Sequence, residues 1–362
     1  MVKRIGVNAL YLIPGGVGGT EIYLRSLLAG LADVDPVNQY VIYTNRETGT
    51  DLAPPAAPNF LTVPLPVRAS SRPARVLYEQ FQLPGRVRED RIDVLLNPGF
   101  TAPVFSPCPQ VTVIHDLQHK RHPEYFRWFD LPFWRLLVWA AVQRSQRLIA
   151  VSQATRDDLL TYYRVPADRV SVVEHGVDNR FFAIARERTR VEPFLLCVST
   201  LHPHKNIERL VRVFARLRVR HPDLRLVLAG MKGFQTSSVE ALISSLGLAG
   251  EVELTGWIPR ERLYDYFRRA AAFVYPSTFE GFGMPVVEAL AAEVPLACSD
   301  IEPLRSIVRG AAWLFNPEDE VGMERAIERL LSGEAPGAPN PARDYSWETA
   351  AQATLRALRS VL

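Results

Sequence analysis

The sequence has little that would support disulfide bonding, zinc binding or membrane crossing. Three cysteines occur among 362 residues, namely Cys108, Cys197 and Cys298, and none belongs to a Cys-x-x-Cys or cysteine–histidine cluster. This spacing favours buried thiols in a reducing compartment. No apolar run approaches the ~20 residues of a membrane span, and no secretory apolar segment is recognisable near the start. We therefore expect a cytoplasmic protein.

The excess of charge of one sign is also small. The chain has 42 basic and 39 acidic residues, hence a net charge of +3, and the whole excess lies in residues 1–180. Binding to nucleic acid by counterion release requires a stronger basic character, so no nucleic-acid partner is expected. The first half could still bind an anionic ligand or rest on an anionic membrane.

What the sequence does contain is a regular alternation of short apolar runs with longer amphipathic stretches. This pattern predicts an α/β protein with two Rossmann-like, doubly wound domains, each a parallel sheet flanked by helices. We place the first domain at residues 1–180 and the second at residues 190–345, with residues 346–362 as a helix that could pack back on the first domain. The charged stretch Asp178–Glu192 is predicted to connect them. Ligands of such sheets bind beyond the carboxyl ends of the strands, so two facing sheets would form a binding cleft.

Three segments at predicted strand ends carry candidate binding residues. The glycine-rich segment Pro14–Glu21, which includes Gly18 and Gly19, joins the first strand to the first helix; an anion-binding loop and a plain tight turn both fit it. His115 ends an apolar strand and could donate, accept or neutralise a developing charge, or be a strand-end histidine satisfied by the backbone. Lys205 opens a helix, where it could hold a phosphate or be an ordinary solvated lysine.

The most informative segment is Glu280-Gly-Phe-Gly-Met-Pro-Val-Val-Glu288. It follows an apolar strand and begins a helix in whose first turn Pro285 fits well. The backbone of Gly281, Phe282, Gly283 and Met284 would present N–H groups to a pyrophosphate, while the two carboxylates could accept hydrogen bonds from sugar and ribose hydroxyls. The alternative is two unrelated acids near a helix start, where acids are favoured anyway.

In their order, these segments resemble the retaining glycosyltransferases of family four, which have the GT-B fold. The shared features are the glycine-rich first loop, His-Asp after a strand, Pro-x-Lys-Asn and Glu-Gly-Phe-Gly-x-Pro-x-x-Glu, and they cover nearly the whole chain. The stretches Val151-Ser-Gln-Ala-Thr and Glu174-His-Gly-Val-Asp also resemble the family's interdomain region.

The resemblance implies a role for each matching residue. Lys205 and the backbone of Gly281–Met284 would bind the donor diphosphate, which Gly18 and Gly19 would reach from the acceptor domain. Glu280 and His115 would lie beside the transferred sugar, and Glu288 would bind the ribose. The family's chemistry implies transfer with retention, with no divalent metal and no cofactor beyond the nucleotide-sugar itself.

Some positions depart from the family pattern. Relatives often have an arginine where this chain has Thr200 or His204, so one charge partner of the diphosphate is missing or is replaced by a hydrogen bond from His204. Glu293 stands where relatives usually have a helix-ending glycine, and a positive φ there would strain it. The Leu-Pro-Glu stretch of relatives is Leu304-Arg305-Ser306 here. Asp33-Val-Asp35 has the form of a metal-binding string but lies at a helix end, away from the predicted site.

The donor and acceptor are less clearly indicated than the reaction. The stretches 230–234 and 255–259 resemble those flanking the nucleotide in mannosyl- and rhamnosyltransferases that use GDP- or dTDP-sugars, and of these donors we favour GDP-mannose. The acceptor would be a glycan or a lipid-linked oligosaccharide. Arginines and aromatic residues between positions 68 and 147 could contact an anionic membrane surface or simply pack as helices. A sugar-nucleotide 2-epimerase and a non-catalytic nucleotide-sugar-binding protein remain alternative functions.

Overall fold

The computed structural model describes residues 2–16, 18–55 and 57–362, and the chain divides into two compact units. Unit 1 comprises residues 1–176 together with 346–362, and unit 2 comprises residues 177–345. Each unit contains one sheet whose strands all run parallel. None of the helices in the described ranges is long and apolar enough to span a membrane.

Unit 1 alternates strands and helices around a seven-stranded sheet of order β3-β2-β1-β4-β5-β6-β7. Its elements are β1 Arg4–Asn8, α1 Gly19–Val34, β2 Gln39–Thr44, β3 Phe60–Pro64, α2 Arg72–Phe81, α3 Leu83–Glu89, β4 Val94–Asn97, β5 Gln110–Ile114, α4 Gln118–Arg121, α5 Leu131–Arg144, β6 Arg147–Ala150, α6 Gln153–Tyr163 and β7 Val170–Val172, with the last helix of the chain, Trp347–Arg359.

Unit 2 is built around a six-stranded sheet of order β10-β9-β8-β11-β12-β13. Its elements are α7 Asn179–Glu187, β8 Glu192–Val198, α8 Ile207–Arg220, β9 Arg225–Ala229, α9 Thr236–Ser245, β10 Val252–Gly256, α10 Arg260–Arg269, β11 Ala270–Tyr275, α11 Met284–Ala291, β12 Leu296–Ser299, α12 Leu304–Val308, β13 Trp313–Phe315 and α13 Glu320–Leu331. The last helix of the chain is therefore α14.

The strand orders explain where each unit should bind a ligand. In both sheets the first strand of the unit lies in the interior, and the chain winds outward from it in both directions. The winding reverses between β1 and β4 in unit 1 and between β8 and β11 in unit 2. Loops that leave adjacent strands at such a reversal diverge, so a crevice forms at the carboxyl ends of these strands.

The stretch Asp178–Glu192 is not the connection that the sequence suggested. It contains α7, whose first backbone N–H groups are capped by Asp178: the carboxylate accepts a 2.9 Å hydrogen bond from the N–H of Arg180. Phe181 and Ile184, three residues apart, are fully buried. The charges of this stretch therefore lie on the outer face of an amphipathic helix that belongs to unit 2.

The C-terminal helix α14 packs against α1 within unit 1. A Cβ atom at Gly30 in α1 would lie 2.8 Å from the carbonyl oxygen of Trp347. Only glycine lets the two helices approach this closely. The packing of α14 on α1 therefore explains why the end of the chain belongs to unit 1.

Candidate active site

The reversal point of the unit 2 sheet brings together Lys205 and Glu280, which are 75 residues apart in the sequence. Lys205 lies in a short helical turn after β8, and Glu280 lies in the loop after β11. The Lys205 ammonium donates to Glu280 Oε1 at 2.6 Å and to the hydroxyl of Tyr275 at 3.1 Å. Both charged side chains are largely buried, with 15% and 10% exposed. An ammonium has three N–H donors, so one remains available for an anionic ligand.

The loop that carries Lys205 is fastened to the loop after β11. Asn206 adopts a left-handed conformation with φ 57°, which asparagine tolerates better than most residues. Its side-chain amide donates to the carbonyl oxygens of Pro276 at 3.1 Å and Pro317 at 2.8 Å. The N–H of Thr278 donates to the carbonyl of His204 at 2.7 Å. These bonds fix the position of Lys205 relative to Glu280 and give the Lys-Asn pair of the sequence a structural reason.

The glycine segment after Glu280 forms the start of α11. Gly283 has φ 123°, and a Cβ atom there would lie 2.5 Å from Leu304 Cδ2, so no other residue fits without displacement. The N–H groups of Val286 and Val287 donate to the carbonyl of Gly283, and Pro285 has no N–H. The positive end of the helix dipole nevertheless makes the start of α11 suitable for binding an anion. Phe282 is buried and packs edge-on against Tyr345, at 5.9 Å between ring centroids. Its side chain therefore anchors the loop.

Glu288 lies further along α11 and is almost buried, with 8% of its side chain exposed. Its Oε1 atom is 3.0 Å from the Nη2 of Arg260, the first residue of α10. Burial raises the pKa of Glu288, and the adjacent guanidinium of Arg260 opposes this shift. Arg260 belongs to none of the sequence motifs. Its only signal was a basic residue directly after Pro259, which is equally typical of a solvated helix start.

In unit 1, His115 follows β5 and is nearly buried. Its Nε2 lies 2.8 Å from the carbonyl oxygen of Pro98. Because a carbonyl can only accept, Nε2 must carry the hydrogen, and Nδ1 is the acceptor of the ring. Burial lowers the pKa of His115 to about 4. Burial thus favours the neutral ring, which packs against Tyr23, Phe100 and His175. A role for His115 beside the transferred sugar stays a prediction.

The glycine-rich loop of unit 1 is partly closed on itself. The carboxylate of Glu21 accepts hydrogen bonds from the N–H of Gly15 at 2.7 Å and from Arg25 Nε at 2.9 Å. Gly18 has φ 60° and precedes the first residue of α1, Gly19. Val17 lies outside the described residues. The first half of this loop is thus a turn held by Glu21, while the start of α1 presents the N–H groups that an anion could bind.

The positions that depart from the family pattern have structural explanations. Glu293 has φ 51°, so the strain expected at the end of α11 is confirmed. Arg305, in α12, pairs with Asp300 at 2.7 Å. The Asp35 carboxylate accepts hydrogen bonds from Asn38 at 2.8 Å and Tyr40 at 2.7 Å, which is a structural use of that residue.

Two protein-family models match the chain, one in each unit. The model described as Glycosyltransferase Family 4 matches residues 17–181, and the model described as Glycosyl transferases group 1 matches residues 181–349. Together they account for nearly the whole chain, in the order that the resemblance implied.

The curated relatives include several mannosyltransferases. The O-antigen chain mannosyltransferase B of Escherichia coli is 25% identical over 269 residues, which cover 69% of this chain and 70% of that protein. The O-antigen chain mannosyltransferase RfbU of Salmonella typhimurium is 27% identical over 221 residues, covering 61% of this chain and 60% of the relative. Against the serotype-specific mannosyltransferase WbdA of Escherichia coli, the match covers 30% of the longer protein at 28% identity.

Solved structures share the fold over the whole chain. The sucrose-phosphate synthase of Thermosynechococcus elongatus aligns with a TM-score of 0.73 at 18% identity, covering 99% of this chain and 94% of that one. The Anabaena protein HepE, solved with UDP and glucose, aligns with a TM-score of 0.69 at 18% identity, covering 99% and 95%. These likenesses and the two doubly wound parallel sheets confirm the GT-B fold that the sequence predicted.

Proposed function

Because the chain belongs to the glycosyltransferases of family four, we propose that it transfers a hexose from a nucleotide-sugar to a glycan or lipid-linked acceptor. The observation that carries this proposal is the convergence of Lys205, Glu280 and the N-terminal end of α11 at the reversal point of the unit 2 sheet. An ammonium and a helix start supply positive charge for a diphosphate, and a carboxylate beside them accepts hydrogen bonds from a sugar.

Each residue of unit 2 then has a separate task. Lys205 and the backbone of Gly281–Met284 bind the diphosphate, and they stabilise the negative charge that grows on it as the glycosidic bond breaks. Glu280 orients the sugar through its hydroxyls, and Glu288 binds the ribose. This positive charge replaces the divalent metal that other transferases use, so the proposed reaction is metal-independent.

We propose that transfer retains the anomeric configuration. The acceptor hydroxyl attacks from the face that the diphosphate leaves, and a phosphate oxygen of the leaving group takes its proton. Glu280 is held by Lys205 at 2.6 Å, which suits a carboxylate that orients the substrate rather than one that forms a bond to it. For unit 1 we retain the roles that the resemblance implies for Gly18, Gly19 and His115. His115 is restricted to a neutral ring that accepts a hydroxyl hydrogen bond through Nδ1.

GDP-mannose is the donor we favour. The support for mannose comes from the relatives named as mannosyltransferases. Two aromatic side chains of unit 2 that follow β9 and β10 would serve the nucleobase, whichever it is. Phe234 and Trp257 are 71% and 60% exposed. Exposed aromatic rings at strand ends offer a stacking surface for a nucleobase.

The donor assignment can be tested by thermal unfolding with GDP-, UDP- and dTDP-sugars. A donor present at about 100 times its dissociation constant should add about 2.7 kcal/mol of stability, and Glu288→Gln should lose most of this gain. Release of the nucleotide in the presence of lipid extract would then demonstrate transfer. Binding without turnover would instead favour the non-catalytic alternative, and conversion of the donor into its 2-epimer would favour the epimerase.

We also propose that unit 1 contacts an anionic membrane surface, where lipid-linked acceptors are found. Large apolar side chains are exposed on α2, on α5 and before α5: Leu77, Phe81, Phe105, Trp128, Phe129, Phe133, Leu136 and Trp139. Arg72 stacks on Trp134 at 5.0 Å and Arg144 on Phe105 at 5.4 Å, so cations border the aromatic residues. Aromatic rings with arginine neighbours match the chemistry of an anionic membrane interface.

Vesicle sedimentation at low salt tests this surface. The wild type should bind vesicles that contain anionic lipid more strongly than neutral vesicles, and Trp139→Glu should weaken the binding. Val219→Glu is the matched control, because Val219 is 83% exposed but lies on α8 of unit 2. Equal binding to both kinds of vesicle, or equal effects of the two substitutions, would contradict membrane contact through this surface.

A further inference from the structure

Glu288 is presented by a cluster of side chains that the family motif does not include. One carboxylate oxygen, Oε1, faces Arg260 Nη2 at 3.0 Å. Among the described residues, no hydrogen bond joins the other oxygen, Oε2, to a protein group. The carboxylate therefore has one oxygen fixed by the protein and one that can accept a hydrogen bond from a ligand hydroxyl.

Arg260 is itself held firmly. Its guanidinium lies over the rings of Phe181 at 5.1 Å and Tyr264 at 5.4 Å, and its Nε donates to the hydroxyl of Tyr264 at 3.1 Å. Asp178 lies 3.8 Å from its Nη2 and accepts a hydrogen bond from Tyr264. The guanidinium is therefore fixed by residues of α10 and by residues in and before α7, and this arrangement leaves it few alternative positions.

We propose that Arg260 is a positioning residue for the donor: it fixes Oε1 of Glu288 so that Oε2 faces the ribose. This inference rests on the proposed function, in which Glu288 binds the ribose of the nucleotide. An ionised carboxylate accepts both ribose hydroxyls, whereas a protonated one presents a donor where an acceptor is needed.

The charges around Glu288 determine how donor binding should depend on pH. Arg260 faces it from α10, and Asp178, which accepts a hydrogen bond from Tyr264, acts on it from the residue before α7. Charged groups of the other packed elements have partners elsewhere: Arg180 pairs with Glu187, Arg305 with Asp300 and Arg309 with Asp344, and Arg343 lies over the ring of Phe182. Burial and the nearby Asp178 carboxylate both raise the pKa of Glu288, and Arg260 alone lowers it.

Removal of Arg260 should therefore raise the pKa of Glu288 further, since burial and Asp178 would act unopposed. A binding step that needs the ionised carboxylate is lost as the pH falls through that pKa. The midpoint of this loss should consequently move to higher pH when Arg260 is replaced, and binding should recover when the solution is made more alkaline.

The experiment measures the dissociation constants of GDP, UDP, ADP and dTDP by calorimetry between pH 5.5 and 9. For the nucleotide that the wild type binds, Arg260→Met and Arg260→Gln should bind at least about tenfold more weakly at pH 7, because a buried carboxylate loses its partner. Both variants should recover at alkaline pH, and Arg260→Lys should restore most of the affinity at pH 7. The double variant Arg260→Met with Glu288→Gln should bind no more weakly than Glu288→Gln alone.

Arg262→Met is the matched control. Arg262 lies in the same helix and likewise pairs with a glutamate and a tyrosine: Glu253 Oε1 at 3.4 Å and the Tyr266 hydroxyl at 3.2 Å. Its side chain is more exposed, at 58%, and it does not face Glu288. The affinity and pH profile of this variant should match the wild type.

The outcomes separate this inference from the proposed function. If Glu288→Gln weakens binding but Arg260→Met and Arg260→Gln retain the wild-type affinity and pH midpoint, the role of Arg260 is wrong and the donor site stands. If no nucleotide binds the wild type, or if Glu288→Gln binds nucleotide as tightly as the wild type does, both the proposed donor site and the proposed role of Arg260 are wrong. Circular dichroism checks folding, and if Arg260→Met does not fold, Arg260→Gln and Arg260→Lys provide the same comparison.

Discussion

The carboxyl edges of the two sheets carry different chemistry. In unit 2 the side chains at this edge form two ion pairs, Lys205 with Glu280 and Arg260 with Glu288. In unit 1 the corresponding edge carries His115, which is surrounded by aromatic rings and whose pKa burial lowers to about 4. The same strand order thus supports a charged edge in unit 2 and a neutral imidazole at the end of β5 in unit 1, where the buried Arg75–Glu79 pair lies near Asn8 at the end of β1 instead.

The difference follows from what each ionisable group faces. Each buried carboxylate of unit 2 has a cation within hydrogen-bonding distance, which compensates for the loss of water. The imidazole of His115 faces a carbonyl and the rings of Tyr23, Phe100 and His175, and its burial favours the neutral form. Within the proposed reaction, unit 2 therefore supplies charges that stabilise the leaving group.

The largest effect should come from removing the cation of the charged edge. Lys205→Met should lower kcat by about 10²–10³-fold, because the growing charge on the diphosphate loses a preorganised donor. The measurement is the rate of nucleotide release with donor and acceptor present. Lys3→Met, on the surface of unit 1 beside Asp93, is the control and should retain wild-type activity. A loss of less than about fivefold in Lys205→Met would mean that the charged edge does not serve the leaving group.

A second large effect should follow from adding a side chain at Gly283, directly before α11. Gly283→Ala introduces a side chain at φ 123° and against Leu304, so we expect a loss of about 3 kcal/mol in the free energy of unfolding and weaker donor binding. Urea titration and calorimetry measure the two quantities. Gly85→Ala is the control, because a Cβ at Gly85 meets nothing within 4 Å. Equal stabilities for the two variants would contradict the requirement for glycine.

The sequence predicted the positions of the residues at the charged edge of unit 2 better than it predicted the neutral state of His115, and the reason is physical. Glu280, Lys205 and Gly283 stand beside strand ends, where local sequence indicates both the turn and the helix start. Arg260 contacts Glu288 only because the fold brings α10 and α11 together, and no local pattern encodes that contact. The neutrality of His115 likewise depends on burial by residues from distant segments, which a single sequence does not reveal.

The neutral imidazole of His115 also predicts how the free energy of unfolding depends on pH. The pKa of His115 in the folded protein, about 4, lies below the ordinary value of 6.5. Above pH 6.5 its contribution to stability is complete, and it is lost as the pH falls toward 4, because the unfolded chain binds the proton first. The free energy of unfolding of the wild type should fall as the pH is lowered from 7 to 5. In His115→Gln this fall should be about 2 kcal/mol smaller.

Urea titrations of the wild type and His115→Gln at the two pH values test this prediction. His119, whose pKa burial also lowers to about 4, remains in both proteins, so part of the acid sensitivity should persist. The same pH dependence in the wild type and the variant would show that His115 is not held neutral.

The smallest expected effect concerns the far end of α11. Glu293 follows this helix with φ 51°, while the N–H of Val294 donates to the carbonyl of Ala289 at 3.0 Å, as in helix ends that normally use glycine. Glu293→Gly should raise the free energy of unfolding by about 0.5 kcal/mol, because relief of the left-handed strain slightly exceeds the added entropy of the unfolded chain. Glu293→Ala retains the strain and should show no such gain. Donor affinity should be the same in both variants, since Glu293 lies at the opposite end of the helix from Gly283; a change in affinity would mean that strain at this end reaches the charged edge.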